Sequence, residues 1–64
     1  MFSVNQTIKV NNESFQITKI VDAGTEFEML VGTREGDPKF LAGKRSIAVF
    51  DLKANKNGTF KYSW

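Results

Sequence analysis

The chain contains no cysteine and no histidine, and only one proline, one tryptophan and one tyrosine. Without cysteine there is no disulfide to make up for a thin core, which sets the chain apart from the bridge-stapled secreted scaffolds of this size and favours an intracellular, cytoplasmic setting. Without histidine it lacks the side chain that most often moves protons near neutral pH, and with cysteine also missing it lacks the usual ligands of zinc. The residues from Met1 to Asn5 show neither a basic leader nor an apolar stretch, and no run is long and apolar enough to span a bilayer, so no membrane partner is expected. Lysine, tyrosine and carboxylates can catalyse, but no pair of them has a spacing that defines a shared site. The chain reads as non-enzymatic, with no catalytic residues, no cofactor and no metal.

Apolar residues are plentiful. Leu, Ile, Val and Phe supply 18 of the 64 residues, too many for a disordered chain. A chain this short buries only about 60% of the surface it exposes when unfolded, so residues 1–64 form a single small domain without room for a large substrate cavity. No repeat, low-complexity tract or linker interrupts it.

Alternation with period two dominates the first third, with Val4, Ile8 and Val10 on one side and Ser3, Asn5, Thr7 and Lys9 on the other. Asn11-Asn12 supplies two residues that tolerate positive φ, as a two-residue type I′ hairpin demands. That turn pairs Val10 with Glu13 and Ile8 with Phe15, and brings Phe15, Ile17 and Val21 to the apolar face, with Lys19 out of phase. Three Asn-x-Ser/Thr tripeptides begin at Asn5, Asn12 and Asn57; outside a secretory chain they are read as turn formers. Glu26 to Arg34 reads as a third strand with Phe27, Met29 and Val31 opposite Glu26, Glu28 and Gly32. A helix capped by Thr25 and Glu28 competes there, but Gly32 would cut it to under two turns.

Gly36-Asp37-Pro38 punctuates the middle, and one helical turn is expected near residues 38–43. In the last third, a three-residue loop at Lys56-Asn57-Gly58 sets Asn55 against Thr59, Ala54 against Phe60, Leu52 against Tyr62 and Phe50 against Trp64. A helix over residues 47–57, capped by Ser46 and closed by Gly58, is the alternative. The element order predicts an all-β fold, a five-stranded antiparallel barrel of OB-like or SH3-like type.

Charge is unevenly spread. Residues 1–32 carry a net charge of −2 and residues 33–64 a net charge of +4. From Lys39 onward there are six basic side chains and a single acid, Asp51. This basic half predicts low-specificity nucleic-acid binding, with Lys39, Lys44, Arg45, Lys53, Lys56 and Lys61 on phosphates and Phe40 stacked on a base. The hairpin frame sends Lys53 and Lys61 to one exposed surface. Gly43-Lys44-Arg45-Ser46 resembles the end of a phosphate-binding loop, but Pro38 stands where the first glycine belongs and Arg45 where the hydroxyl belongs. Asp22, Glu26 and Glu28 form a solvated acidic edge, and Phe60, Tyr62 and Trp64 share a core face, though Trp64 ends the sequence and chain ends fray. The alternative function is protein binding, as an inhibitor or adaptor of a larger partner. Self-association through strand edges is a third.

Overall fold

The computed structural model describes residues 2–64; Met1 lies outside them. Among the described residues there are six strands, β1 (Thr7–Val10), β2 (Glu13–Val21), β3 (Met29–Arg34), β4 (Arg45–Ala48), β5 (Lys53–Ala54) and β6 (Phe60–Lys61). Two 3₁₀ turns, Lys39–Leu41 and Val49–Asp51, are the only helical elements among the described residues. The strands form one sheet in the order β4-β3-β2-β1-β6-β5, strongly curled into a half-barrel.

The first hairpin follows directly from its turn residues. Asn11 and Asn12 take φ of 53° and 67°, and the strands pair Ile8 with Phe15 and Val10 with Glu13. Asn5 is also left-handed, at 74°. Val4 departs from the alternation: a turn closed by the Gln6 N–H on Ser3 O carries it into solvent before β1 begins. Lys19 has a physical explanation as well. The β2–β3 register shifts between Ile17 and Lys19, so a bulge inserts one residue and turns Lys19 outward.

Two expectations are overturned in β3. The strand starts at Met29 rather than Glu26, and its phase is inverted: Leu30 and Gly32 are buried while Met29 and Val31 are half-buried. Gly32 decides the phase, because a Cβ there would lie 1.8 Å from the Gln16 carbonyl oxygen. Only this residue lets β2 and β3 approach at the bulge. Leu30 consequently points inward opposite Ile47, and Phe27 is left in the preceding turn, 70% exposed.

The five-stranded antiparallel barrel is corrected to a six-stranded mixed half-barrel. The expected fourth strand is broken by the 3₁₀ turn at Val49–Asp51, so β4 pairs with β3 at one edge while β5 pairs with β6 at the other. The β5–β6 hairpin meets β1 through a single parallel pair, Val10 with Phe60. Its own frame is the predicted one, with Ala54 opposite Phe60 and the Asn55 N–H donating to Thr59 O. The frame holds through Lys53 opposite Lys61, and beyond Lys53 the predicted pairing stops. Phe50 does not face Trp64; it protrudes from the 3₁₀ turn, 81% exposed. The helix over residues 47–57 is likewise absent. The turn over Lys39–Leu41 forms as expected, followed by Gly43 at φ 74°.

The core is Ile8, Val10, Phe15, Ile17, Leu30 and Ile47, covered by Phe2, Ile20, Val49, Leu52, Phe60, Tyr62 and Trp64. Side chains, not a strand ladder, bridge the gap of the half-barrel. The Asn11 side chain exchanges two hydrogen bonds with the backbone of Tyr62, and the Tyr62 hydroxyl accepts from the Ala48 N–H of β4, 3.2 Å away. The segment after β6 thus reaches from the β1 side of the sheet to the opposite edge.

Candidate functional site

The seven residues proposed from the sequence fall into three groups. Arg45 belongs to the framework. Its guanidinium pairs with Asp37 at 2.5 Å, and both Arg45 and Arg34 lie over the Trp64 ring, at 6.0 and 4.6 Å from its centre. Arg34 is in turn held by Glu13 at 2.9 Å. Trp64 does not fray: it packs on Phe15 with ring centres 5.8 Å apart. The positive charge of both arginines is therefore committed to structure, where their planar heads suit stacking on an indole.

Asp37 anchors this cluster. The Arg45 hydrogen bond holds its carboxyl below the usual carboxylate range, against the opposing effect of its own burial, and the Arg34 N–H donates to it at 3.0 Å. A depressed carboxylate contributes stability above the pKa of the unfolded chain and loses it as pH falls through the folded value. The native protein should accordingly lose thermal stability below about pH 4, and Asp37→Asn should show a lower midpoint near neutrality with a flatter acid limb. Midpoints followed by circular dichroism over the acid range check this; parallel acid limbs would remove Asp37 from the account.

The second group is Lys39, Phe40 and Lys44, on and beside the first 3₁₀ turn. Hydrogen bonds from Leu41 N–H to Pro38 O, from Ala42 N–H to Lys39 O and from Gly43 N–H to the Thr33 hydroxyl fix this turn, and Phe40 stands out from it, 72% exposed. Gly43-Lys44-Arg45 forms no phosphate cradle, because Arg45 enters β4 and no helix follows.

Lys53, Lys56 and Lys61 make up the third group, on the terminal hairpin. Lys53 and Lys61 are direct cross-strand partners and both are exposed. Lys9 of β1 adds a third lysine to this face, one not singled out from the sequence: Val10 points inward beside Phe60 of β6, so Lys9 turns outward level with Thr59, two positions along the strand from Lys61. The three lysines share the outer face of three adjacent strands, β1, β6 and β5, with Lys53 and Lys61 directly opposed and Lys9 on the diagonal. Next to the row is a hollow of about 330 Å³ lined by Asn11, Asn12, Asn55, Phe60 and Lys61. Among the described residues the ion pairs are those of Arg34 and Arg45; no lysine enters one.

A further feature was missed from the sequence. Phe27, Met29, Ala48 and Phe50 line a groove of about 440 Å³ whose rim carries Glu26, Glu28 and Asp51. The signal was available: Phe27 sits between two glutamates and Phe50 precedes an aspartate, a charged context uncommon for core aromatics. Of the acidic edge expected at Asp22, Glu26 and Glu28, the two glutamates line this groove and Asp22 does not. Comparison with family models, with curated proteins and with solved structures returns no match.

Proposed function

We propose that the chain is a non-catalytic nucleic-acid-binding module of low sequence specificity that works through the terminal hairpin. Supporting this reading above all is the direct opposition of Lys53 and Lys61, with Lys9 on the next strand and no carboxylate paired to any of them. Like charges directly opposed across strands are destabilising, and a polyanion laid along the row relieves the repulsion. Lysine, a hydrated point charge without a fixed fork, suits phosphate contact without base readout. Lys56 in the hairpin loop lengthens the track. In the adjoining hollow, the side-chain amides of Asn12 and Asn55 offer hydrogen-bonding groups to an unpaired base. Within the small all-β barrels we assign the half-barrel to the OB-like or SH3-like type, scaffolds that present such surfaces. The cytoplasmic, non-enzymatic character read from the composition belongs to the same proposal.

Fluorescence anisotropy with single- and double-stranded oligonucleotides at two salt concentrations tests it. Three to four phosphate contacts predict a slope of log affinity on log salt of about −2 to −3 for single strands. The double variant Lys53→Glu, Lys61→Glu should lower affinity at least about tenfold and flatten the single-strand slope by about 1.4. Its thermal midpoint should stay within a few degrees, since exposed changes usually cost less than about 0.5 kcal/mol. Unchanged affinity in that variant, or no binding at low salt, ends the proposal. The second reading, a protein-binding module, draws on the acid-rimmed groove at the other edge of the sheet.

A further inference from the structure

The groove and the Phe40 turn are opposite in character and sit at the two ends of one strand. The turn presents a phenylalanine beside Lys39 and Lys44 just before β4. The groove presents Phe27, Met29 and Phe50 behind Glu26, Glu28 and Asp51, and Phe50 and Asp51 come just after β4. Neither set of charges is paired within the chain among the described residues. At about 3.3 Å per residue, the four residues of β4 hold knob and groove roughly 13 Å apart, too far to satisfy one another.

β4 is also an edge strand. The Val49 N–H donates to Glu28 O, so by the alternation of an antiparallel ladder Arg45 and Ile47 spend their backbone groups on β3 while Ser46 and Ala48 turn theirs to the open side. Ala48 N–H is taken by the Tyr62 hydroxyl, and Ser46 is exposed. With the Ala48 N–H held by Tyr62 and the Lys44 N–H held by Leu41 O, Ser46 is the open position of this edge, where a partner strand can touch.

From the complementary charges of the lysine-flanked Phe40 turn and the acid-lined groove we infer that the chain forms a two-fold dimer about Ser46, each Phe40 seated in the other copy's acid-rimmed groove. Two β4 strands run antiparallel with Ser46 on the axis. The Phe40 turn precedes β4 and the groove follows it, so the antiparallel arrangement lays each turn on the side of the other copy's groove. A two-fold axis repeats the contact, so both knobs and both grooves are used and assembly closes at two. The fit is reasonable in size, since a cavity of about 150 Å³ already holds a benzene ring. It is also reasonable in ordering cost, because the hydrogen-bonded turns hold Phe40 and the Phe27–Met29 wall in place before contact. The lysine row lies at the opposite edge of the sheet and stays free. Dimerisation and nucleic-acid binding are therefore separable properties.

Sedimentation equilibrium of the whole chain, up to about 1 mM because so small an interface is weak, should give twice the 7.2 kDa mass of one chain. Phe40→Glu, which sets an acid against the acidic rim, should be monomeric with an unchanged circular dichroism spectrum. The decisive arm uses charge reversal: one chain carries Lys39→Glu with Lys44→Glu, the other Glu26→Lys with Asp51→Lys. Each alone should be monomeric, and an equimolar mixture should recover the dimer, because both knob-to-groove contacts of the heterodimer are then attractive. A native chain that stays monomeric, a Phe40→Glu chain that still dimerises, masses that grow without limit, or a mixture that stays monomeric would each overturn the inference.

Discussion

The Gly32→Ala variant is expected to be unfolded at room temperature. A Cβ at this position would stand 1.8 Å from the Gln16 carbonyl oxygen, 2.8 Å from its carbonyl carbon and 3.1 Å from the Ile17 Cα. These atoms belong to the backbone of β2, the central neighbour of β3, at the bulge that sets the curvature of the sheet. A flexible side chain can swing away from such an overlap, but a strand paired on both sides cannot. Relief requires β2 and β3 to separate, which uncovers Ile17 and Leu30, two of the six core residues. A domain of this size has only about 3–5 kcal/mol to lose. The far-ultraviolet spectrum and amide dispersion of Gly32→Ala should therefore be those of an unfolded chain. A folded variant with a native midpoint would show that β2 and β3 do not approach as described.

The parts of this fold that were legible in the sequence are those governed by local rules. Asn11-Asn12 and Lys56-Asn57-Gly58 each specify a turn by backbone conformation, and a turn of known length fixes the pairing beside it. That is why Ile8 with Phe15 and Ala54 with Phe60 could be placed without coordinates. The phase of β3 was not legible, because both faces of Met29–Arg34 offer apolar residues and the choice depends on the close approach at Gly32, a contact between strands. Phe50 misled for a related reason. The segment from Ile47 to Phe50 reads as β-forming, and nothing local announces that Val49–Asp51 must turn a corner to carry the chain from one sheet edge to the other.

For the candidate site the pattern is the same. Residue type located the exposed lysines, whereas Arg45 looked equivalent to them and is not. Its partners, Asp37 and Trp64, are 8 and 19 positions away in sequence, and only the fold brings all three together. Arginine among lysines was the available hint, since a planar guanidinium is favoured where an ion pair and an aromatic face must be satisfied at once. Lys9 escaped notice because a net charge of −2 over residues 1–32 says nothing about which lysine the parallel β1–β6 contact brings to the face shared by Lys53 and Lys61.

Trp64→Ala is expected to cost about 3 kcal/mol, the low end for a packed aromatic because the ring is only half-buried. Four groups rely on this ring. Phe15 lies against it, the Tyr62 ring meets it edge-on at 5.6 Å, and the guanidiniums of Arg34 and Arg45 stack above it. Removing the indole opens the floor of the half-barrel at the place where no strand pairing closes it. It also leaves two partly buried cations with only their carboxylate partners. At roughly 4–8 °C per kcal/mol for a domain of this size, the midpoint should fall by about 12–24 °C. Trp64→Phe separates packing from polarity. The indole Nε1 is buried without a hydrogen-bond partner, so phenylalanine removes an unsatisfied donor while keeping a ring beneath the two arginines. Its midpoint should lie well above that of the alanine variant. Circular dichroism is the suitable probe, because the substitution removes the chain's single tryptophan and with it the tryptophan emission. Should Trp64→Ala melt within two or three degrees of the native chain, the closure would have to rest on Tyr62 and Asn11 alone.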